Sequence, residues 1–343
     1  MKSLQRPLKR RLRTIAENTA LRLGWRLARL TPKERRYLKP SHTDAGPAPP
    51  EAAGTLQRDN PVLKDLRKRY ARVDLPVTKR SLWRSALLES DLDLQHFRGD
   101  NPYVWQYRHV RSGADLKYYL YLRYLEERDS LGLLQRLSED GAFGCWTFDY
   151  EGRSPVSRDL LDSVNEINFL ERRLGISKKP ALRVVDVGAG YGRLAHRMCG
   201  ALPNLAEYYC LDAIPESTFL CDYYMGYRGC ADRVSVVPLD KAEAWESPGD
   251  IHLGVNIYSF PECPFEVVRW WLQWLAARHV RNLLIVPNDA NALLTTERDG
   301  SRRDFAPLLE GAGYRLVHQE HIIDDPNVRR FTKIMAQFYM FGL

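Results

Sequence analysis

The stretch VVDVGAGYGR at 184–193 constrains what this chain can fold into more than any other part of it. Three valines and one aspartate of strand character run into a turn with glycine at positions 188, 190 and 192, and a helical pattern follows. Glycine carries no side chain to obstruct a tight reversal, so the expected unit is a strand, a turn and a helix within a parallel α/β sheet. Dinucleotide-binding turns use a related signature, Gly-x-Gly-x-x-Gly. Here the spacing is Gly-x-Gly-x-Gly, and Asp186 stands two residues before the first glycine. A pyrophosphate would meet a like charge there, whereas a sulfonium ligand with an amino group would be attracted. The residues therefore point to S-adenosylmethionine as the ligand, with Asp186, Gly188, Ala189, Gly190 and Gly192 around it.

From residue 182 onward, short apolar runs alternate with helical stretches. LRVVDVG, EYYCLDA, VSVVPLD, DIHLGVNI and NLLIVPND are strand-length, and helical patterns at 193–202, 215–224 and 265–279 separate several of them. That alternation specifies a parallel, doubly wound sheet covered on both faces. YRLVHQEHIID and TKIMAQFYMFGL then read as two long strands joined by a turn around Pro326, an antiparallel hairpin ending the domain at 176–343. Ligands of open α/β sheets lie outside the carboxyl ends of the strands. Asp212 and Ala213 end the second strand, where a carboxylate can accept ribose hydroxyls; Asp240 ends the third, near an adenine edge; Asn256 ends the fourth.

The net charge of +8 is unevenly spread. Residues 1–40 hold thirteen Lys and Arg against Glu17 and Glu34, so the remaining 303 residues carry −3. Without a basic surface on the body, nucleic acid is not an expected partner. Leu8, Leu12, Ile15, Leu23, Leu27 and Leu30 recur at helical spacing among arginines, a basic amphipathic tail able to lie on an anionic membrane or dock on a partner such as a glycosyltransferase. A solvated or self-packed helix has the same composition. Residues 41–61, rich in Pro, Ala, Gly and Thr, read as a linker, and 62–175 as a helical region with strong helices at 116–137 and 157–174. The six cysteines lack Cys-x-x-Cys spacing and read as reduced thiols, and no carboxylate cluster predicts a metal. The expected location is cytoplasmic, at the inner face of the membrane if the tail binds lipid.

The run VVDVGAGYGRLAHR, with YYCLDAIPESTFLCDYY and GVNIYSFPEC after it, resembles a bacterial family of sugar O-methyltransferases over about residues 140–343. The resemblance implies a class I methyltransferase (Rossmann-like) seven-stranded sheet with a C-terminal antiparallel hairpin, preceded by a mainly helical region. It also implies S-adenosylmethionine as donor and a sugar hydroxyl of a glycan or nucleotide sugar as acceptor. A sugar hydroxyl needs a base at neutral pH, and Glu262 is the first candidate, Asp289 the second. Trp105, Tyr107 and Trp146 are expected to line the acceptor pocket. Other readings are a methyltransferase for another small metabolite or a lipid, and a non-catalytic scaffold of the same fold partnering a glycosyltransferase. A hydride-transferring dinucleotide enzyme ranks behind them on glycine spacing.

Overall fold

A computed structural model describes residues 46–80, 82–83, 87–99, 114–288 and 293–343. The basic tail, Trp105, Tyr107 and Asp289 lie outside the described residues. Among the described residues, three long helices precede the sheet: α1 (Pro61–Tyr70), α2 (Ala114–Glu126) and α3 (Arg158–Leu174). Helix α1 starts where Asn60 accepts the Val62 amide and proline occupies the first turn. Part of the expected linker is packed rather than free: Ala52–Thr55 forms a helical turn, and Ala52 and Leu56 are 0% and 2% exposed. Helix α3 falls within the expected range; Ser157 accepts the Leu160 amide at its start and Gly175 closes it at φ +58°. The helix expected over 116–137 is instead broken after Glu126. Asp129 accepts the Leu134 amide at 2.8 Å, and Gly132 at φ +63° starts a separate turn, Leu133–Arg136. Local capping by Asp and Gly thus outweighs the continuous apolar pattern.

The sheet contains β1 (Leu182–Val187), β2 (Leu205–Leu211), β3 (Val234–Val237), β4 (Leu253–Ile257), β5 (Asn282–Val286), β6 (Arg315–His321) and β7 (Gln337–Gly342). Their spatial order is β3-β2-β1-β4-β5-β7-β6. Strands β1 to β5 pair in parallel, and β7 is antiparallel to β5 and β6. This is the class I methyltransferase sheet. Helices α4 (Arg193–Ala201), α5 (Pro215–Tyr227), α6 (Phe265–Ala277) and α7 (Ala306–Gly311) connect the strands, and α8 (Pro326–Thr332) joins β6 to β7. The turn expected around Pro326 is therefore a helix. Pro326 occupies its first turn, and Asp325 accepts the Asn327 and Val328 amides. Strand β1 is central, and Leu182, Val184, Val185 and Val187 are fully buried. At about 1.5–3 kcal/mol per buried aliphatic side chain, they hold the strand in place. Its one acid, Asp186, is buried with them.

Candidate active site

Strand order reverses between β1 and β4, because β1 connects outward to β2 on one side and pairs with β4 on the other. Such a reversal opens a crevice at the carboxyl ends of the strands. A cavity of about 700 Å³ lies there. Asp186, Gly188, Ala189, Gly190, Asp212 and Ala213 all line it. The three glycines of the turn serve different physical needs. A Cβ on Gly188, at φ +78°, would lie 2.1 Å from Ser259 Oγ on the loop after β4. A Cβ on Gly192, at φ +83°, would lie 2.8 Å from Met225 Cε and 2.9 Å from Cys221 Sγ of α5. Gly190, at φ +58°, lets its N–H donate to Asp212 Oδ2 at 3.0 Å. Gly192 was expected beside the ligand; its place is against α5, outside the cavity lining.

The carboxylates are the chemical centre of the cavity. Asp186 is 4% exposed and accepts the Tyr208 hydroxyl at 2.8 Å. Burial pushes its carboxyl up to about 7, and the Tyr208 hydrogen bond restores only part of the loss. Asp212 accepts the amides of Gly190 and Ile214, at 3.0 and 2.8 Å. Burial still raises it to about 6 against those two donors. Each carboxylate oxygen has a second lone pair, so these bonds leave acceptor capacity for ligand hydroxyls. A ligand carrying positive charge would offset the cost of ionising both acids, which fits S-adenosylmethionine to this donor set.

Glu262 lies across the same cavity. It sits in a tight turn, Phe260–Glu262, just before α6. Trp83 donates its indole N–H to Oε2 at 2.6 Å, and Asn288 donates to Oε1 at 3.3 Å. Burial raises the Glu262 carboxyl to about 7, Trp83 and Asn288 pull it down, and nearby Asp212 pushes it up. That value suits a base working at neutral pH. Tyr258, between β4 and this turn, lines the cavity at φ +65° while its amide donates to Val286 O at 2.7 Å. A tyrosine in the left-handed region is strained, and such positions concentrate at functional sites.

Three other expected residues lie elsewhere. Asp240 is in the Leu239–Lys241 turn beyond β3, outside the cavity lining. Arg69 of α1 grips its carboxylate, with Nη2 2.7 Å from Oδ1 and Nε 3.0 Å from Oδ2. Asn256 is 0% exposed and works within the protein: its amide donates to Val187 O at 2.7 Å, and its carbonyl accepts the Phe260 amide at 2.9 Å. It ties the loop after β4 to the end of β1. Trp146 is half-buried and outside the cavity lining. Its glycine-rich loop fills core instead, with the Phe143 ring 4.8 Å from both Phe97 and Tyr227. Sequence reasoning also missed Arg80, Trp83, Lys117, Arg158, Asp162, Tyr258 and Lys333, which line the cavity. A lone lysine in the apolar run LKYYLYL was the one available signal, for Lys117. Among the described residues no group of three metal-ligating side chains converges.

No family model matches the chain. No curated protein matches it either. Solved structures with a similar chain trace include the mitomycin 7-O-methyltransferase, 20% identical, TM-score 0.37, covering 53% of this chain and 56% of that one. A second is the magnesium protoporphyrin IX methyltransferase from Synechocystis PCC 6803 with bound SAM, 15% identical, TM-score 0.39, covering 65% of this chain and 96% of that one. A third is a SAM dependent methyltransferase from Aquifex aeolicus, 18% identical, TM-score 0.36, covering 52% of this chain and 89% of that one. The match thus spans little more than half of the mitomycin enzyme. Likeness of this degree concerns the fold, so the chemistry has to be argued from the site.

Proposed function

We propose that this chain is an S-adenosylmethionine-dependent O-methyltransferase acting on a sugar hydroxyl, in a nucleotide sugar or a glycan. One observation carries the methyl-transfer reading: a buried carboxylate, Asp186, and a half-buried one, Asp212, flank a glycine turn in a cavity that also holds Glu262. The sugar acceptor rests on the resemblance of GAGYGRLA, DAIPEST and NIYSFPEC to sugar O-methyltransferases.

Bound beside the glycine turn, S-adenosylmethionine would supply a methyl group on a positively charged sulfur. Asp186 balances positive charge, and Asp212 accepts hydroxyls through its remaining lone pairs. Glu262 would accept the proton of the acceptor hydroxyl at a carboxylate oxygen, leaving that hydroxyl oxygen to take the methyl group. Trp83 and Asn288 hold that carboxylate in one orientation. Alignment within the cavity supplies the rest of the rate gain, since in-line displacement depends chiefly on geometry.

The test is calorimetry with S-adenosylhomocysteine, followed by transfer of labelled methyl groups into a panel of nucleotide sugars, glycans and non-sugar hydroxyl compounds. Binding that Gly190→Arg abolishes, together with label in a sugar, is the expected result. Wild-type protein that does not bind S-adenosylhomocysteine would overturn the methyltransferase reading, and label only in non-sugar acceptors would overturn the sugar.

A further inference from the structure

The cavity has a second chemical region, which methyl transfer does not explain. Lys117 of α2, Arg158 at the start of α3 and Lys333 after α8 all line it. They come from three elements far apart in sequence, and the two lysines and the arginine are close enough to act on one another. Burial lowers the Lys117 ammonium to about 8, Arg158 and Lys333 push it further down, and Asp162 alone pulls it up. Asp162 also accepts Arg158 Nε at 3.2 Å. Arg193 also lines the cavity near Asp162, but its guanidinium is held by Glu166 in two contacts of 2.9 Å. Lys333 caps the end of α8 at φ +55°, a left-handed conformation common at helix C-termini. Pocket-facing cations gathered this way are the usual means of holding a phosphate or carboxylate.

We propose that Lys117, Arg158 and Lys333 form the subsite for an anionic group, phosphate or carboxylate, on the methyl acceptor. This rests on the methyltransferase reading and narrows it to a negatively charged acceptor. The methyl donor does not supply that charge. Its carboxylate is matched by its own ammonium, and the sulfonium leaves it net positive. The charge surroundings of the two regions also differ. Glu262 is acted on by Asp212, Trp83 and Asn288, whereas Arg158 and Asp162 act on Tyr258, the residue after β4. An acceptor anchored by its anion at the cationic end extends its hydroxyl toward Glu262.

The experiment uses the full chain saturated with S-adenosylhomocysteine and titrated with inorganic pyrophosphate, then with malonate, by calorimetry at pH 7. The variant is the double substitution Lys117→Met and Lys333→Gly. Methionine keeps the length of Lys117 without its charge, and glycine suits the backbone at 333, so the melting temperature should hold or rise. Saturable binding of at least one anion by the wild type, weakened about tenfold or more in the variant, is expected from the loss of charge-assisted contacts. Tighter binding of pyrophosphate assigns a phosphate, and tighter binding of malonate a carboxylate. The proposal falls if neither anion binds, or if the variant binds them as well as the wild type. It falls equally if the variant loses S-adenosylhomocysteine affinity by a similar factor, because the cluster would then hold the donor's carboxylate. Wild type that fails to bind S-adenosylhomocysteine at all marks the separate failure of the methyltransferase reading.

Discussion

Asp186 and Glu262 show how burial turns ordinary carboxylates into useful ones. Both are raised to about 7, mainly because the surrounding protein disfavours charge. A ligand ammonium beside Asp186 stabilises its ionised form, so binding should drive the proton off. The sign follows: S-adenosylhomocysteine affinity should rise with pH between about 5 and 7 and level off above, with proton release near pH 6.5. Calorimetry in two buffers of different ionisation heat measures that release directly, and Asp186→Asn should abolish it and weaken binding. Glu262 makes a different prediction, because its proton comes from the acceptor. Glu262→Gln should leave S-adenosylhomocysteine affinity unchanged and slow turnover by about 10²–10⁴-fold, the range for loss of a general base. A wild-type rate that does not fall below pH 7, or a fully active Glu262→Gln variant, would remove it as base.

At the scale of elements, helix α1 is fastened to the sheet domain. Arg67 pairs with Glu216 of α5 at 2.8 Å, and Arg69 pairs with Asp240 beyond β3. Tyr70 seals the contact: its hydroxyl accepts the Leu239 amide at 2.8 Å and lies 2.7 Å from Thr218 Oγ1. Tyr70→Phe would keep the ring and leave a buried amide without its partner. Such a group costs about 1–3 kcal/mol, so urea unfolding should show a stability loss of that size. An unchanged unfolding midpoint would mean that α1 only rests on the sheet. The same packing explains why Asp240 is unsuited to an adenine: its carboxylate is already held by a guanidinium.

For the molecule as a whole, charge separates the tail from the body. Residues 1–40 are strongly basic and the rest slightly acidic, which suits a chain whose catalytic part stays off an anionic surface while the tail meets it. Among the described residues no helix is long and apolar enough to cross a membrane. Deleting residues 1–40 should therefore weaken binding to phosphatidylserine vesicles, most at low salt, where screening is least. Co-sedimentation measures this, and full-length protein that ignores such vesicles at low salt would exclude the membrane role.

Strand periodicity, the glycine turn, the span of α3 and the acids at 186, 212 and 262 were all legible in the linear chain. Each depends on neighbours a few residues apart, and on the rule that sheet ligands lie at strand ends. The order of strands was legible only through the resemblance of GAGYGRLA and its companions. Tertiary structure alone decided that Asn256 braces a loop, that Gly192 packs on α5, and that Asp240 answers to Arg69, 171 residues away. It also decided that Trp83 meets Glu262 across 179 residues, and that Lys117, Arg158 and Lys333 share one wall. The reason is physical: a side chain's ionisation and its role follow from what surrounds it, and those surroundings come from chain segments that no local pattern links.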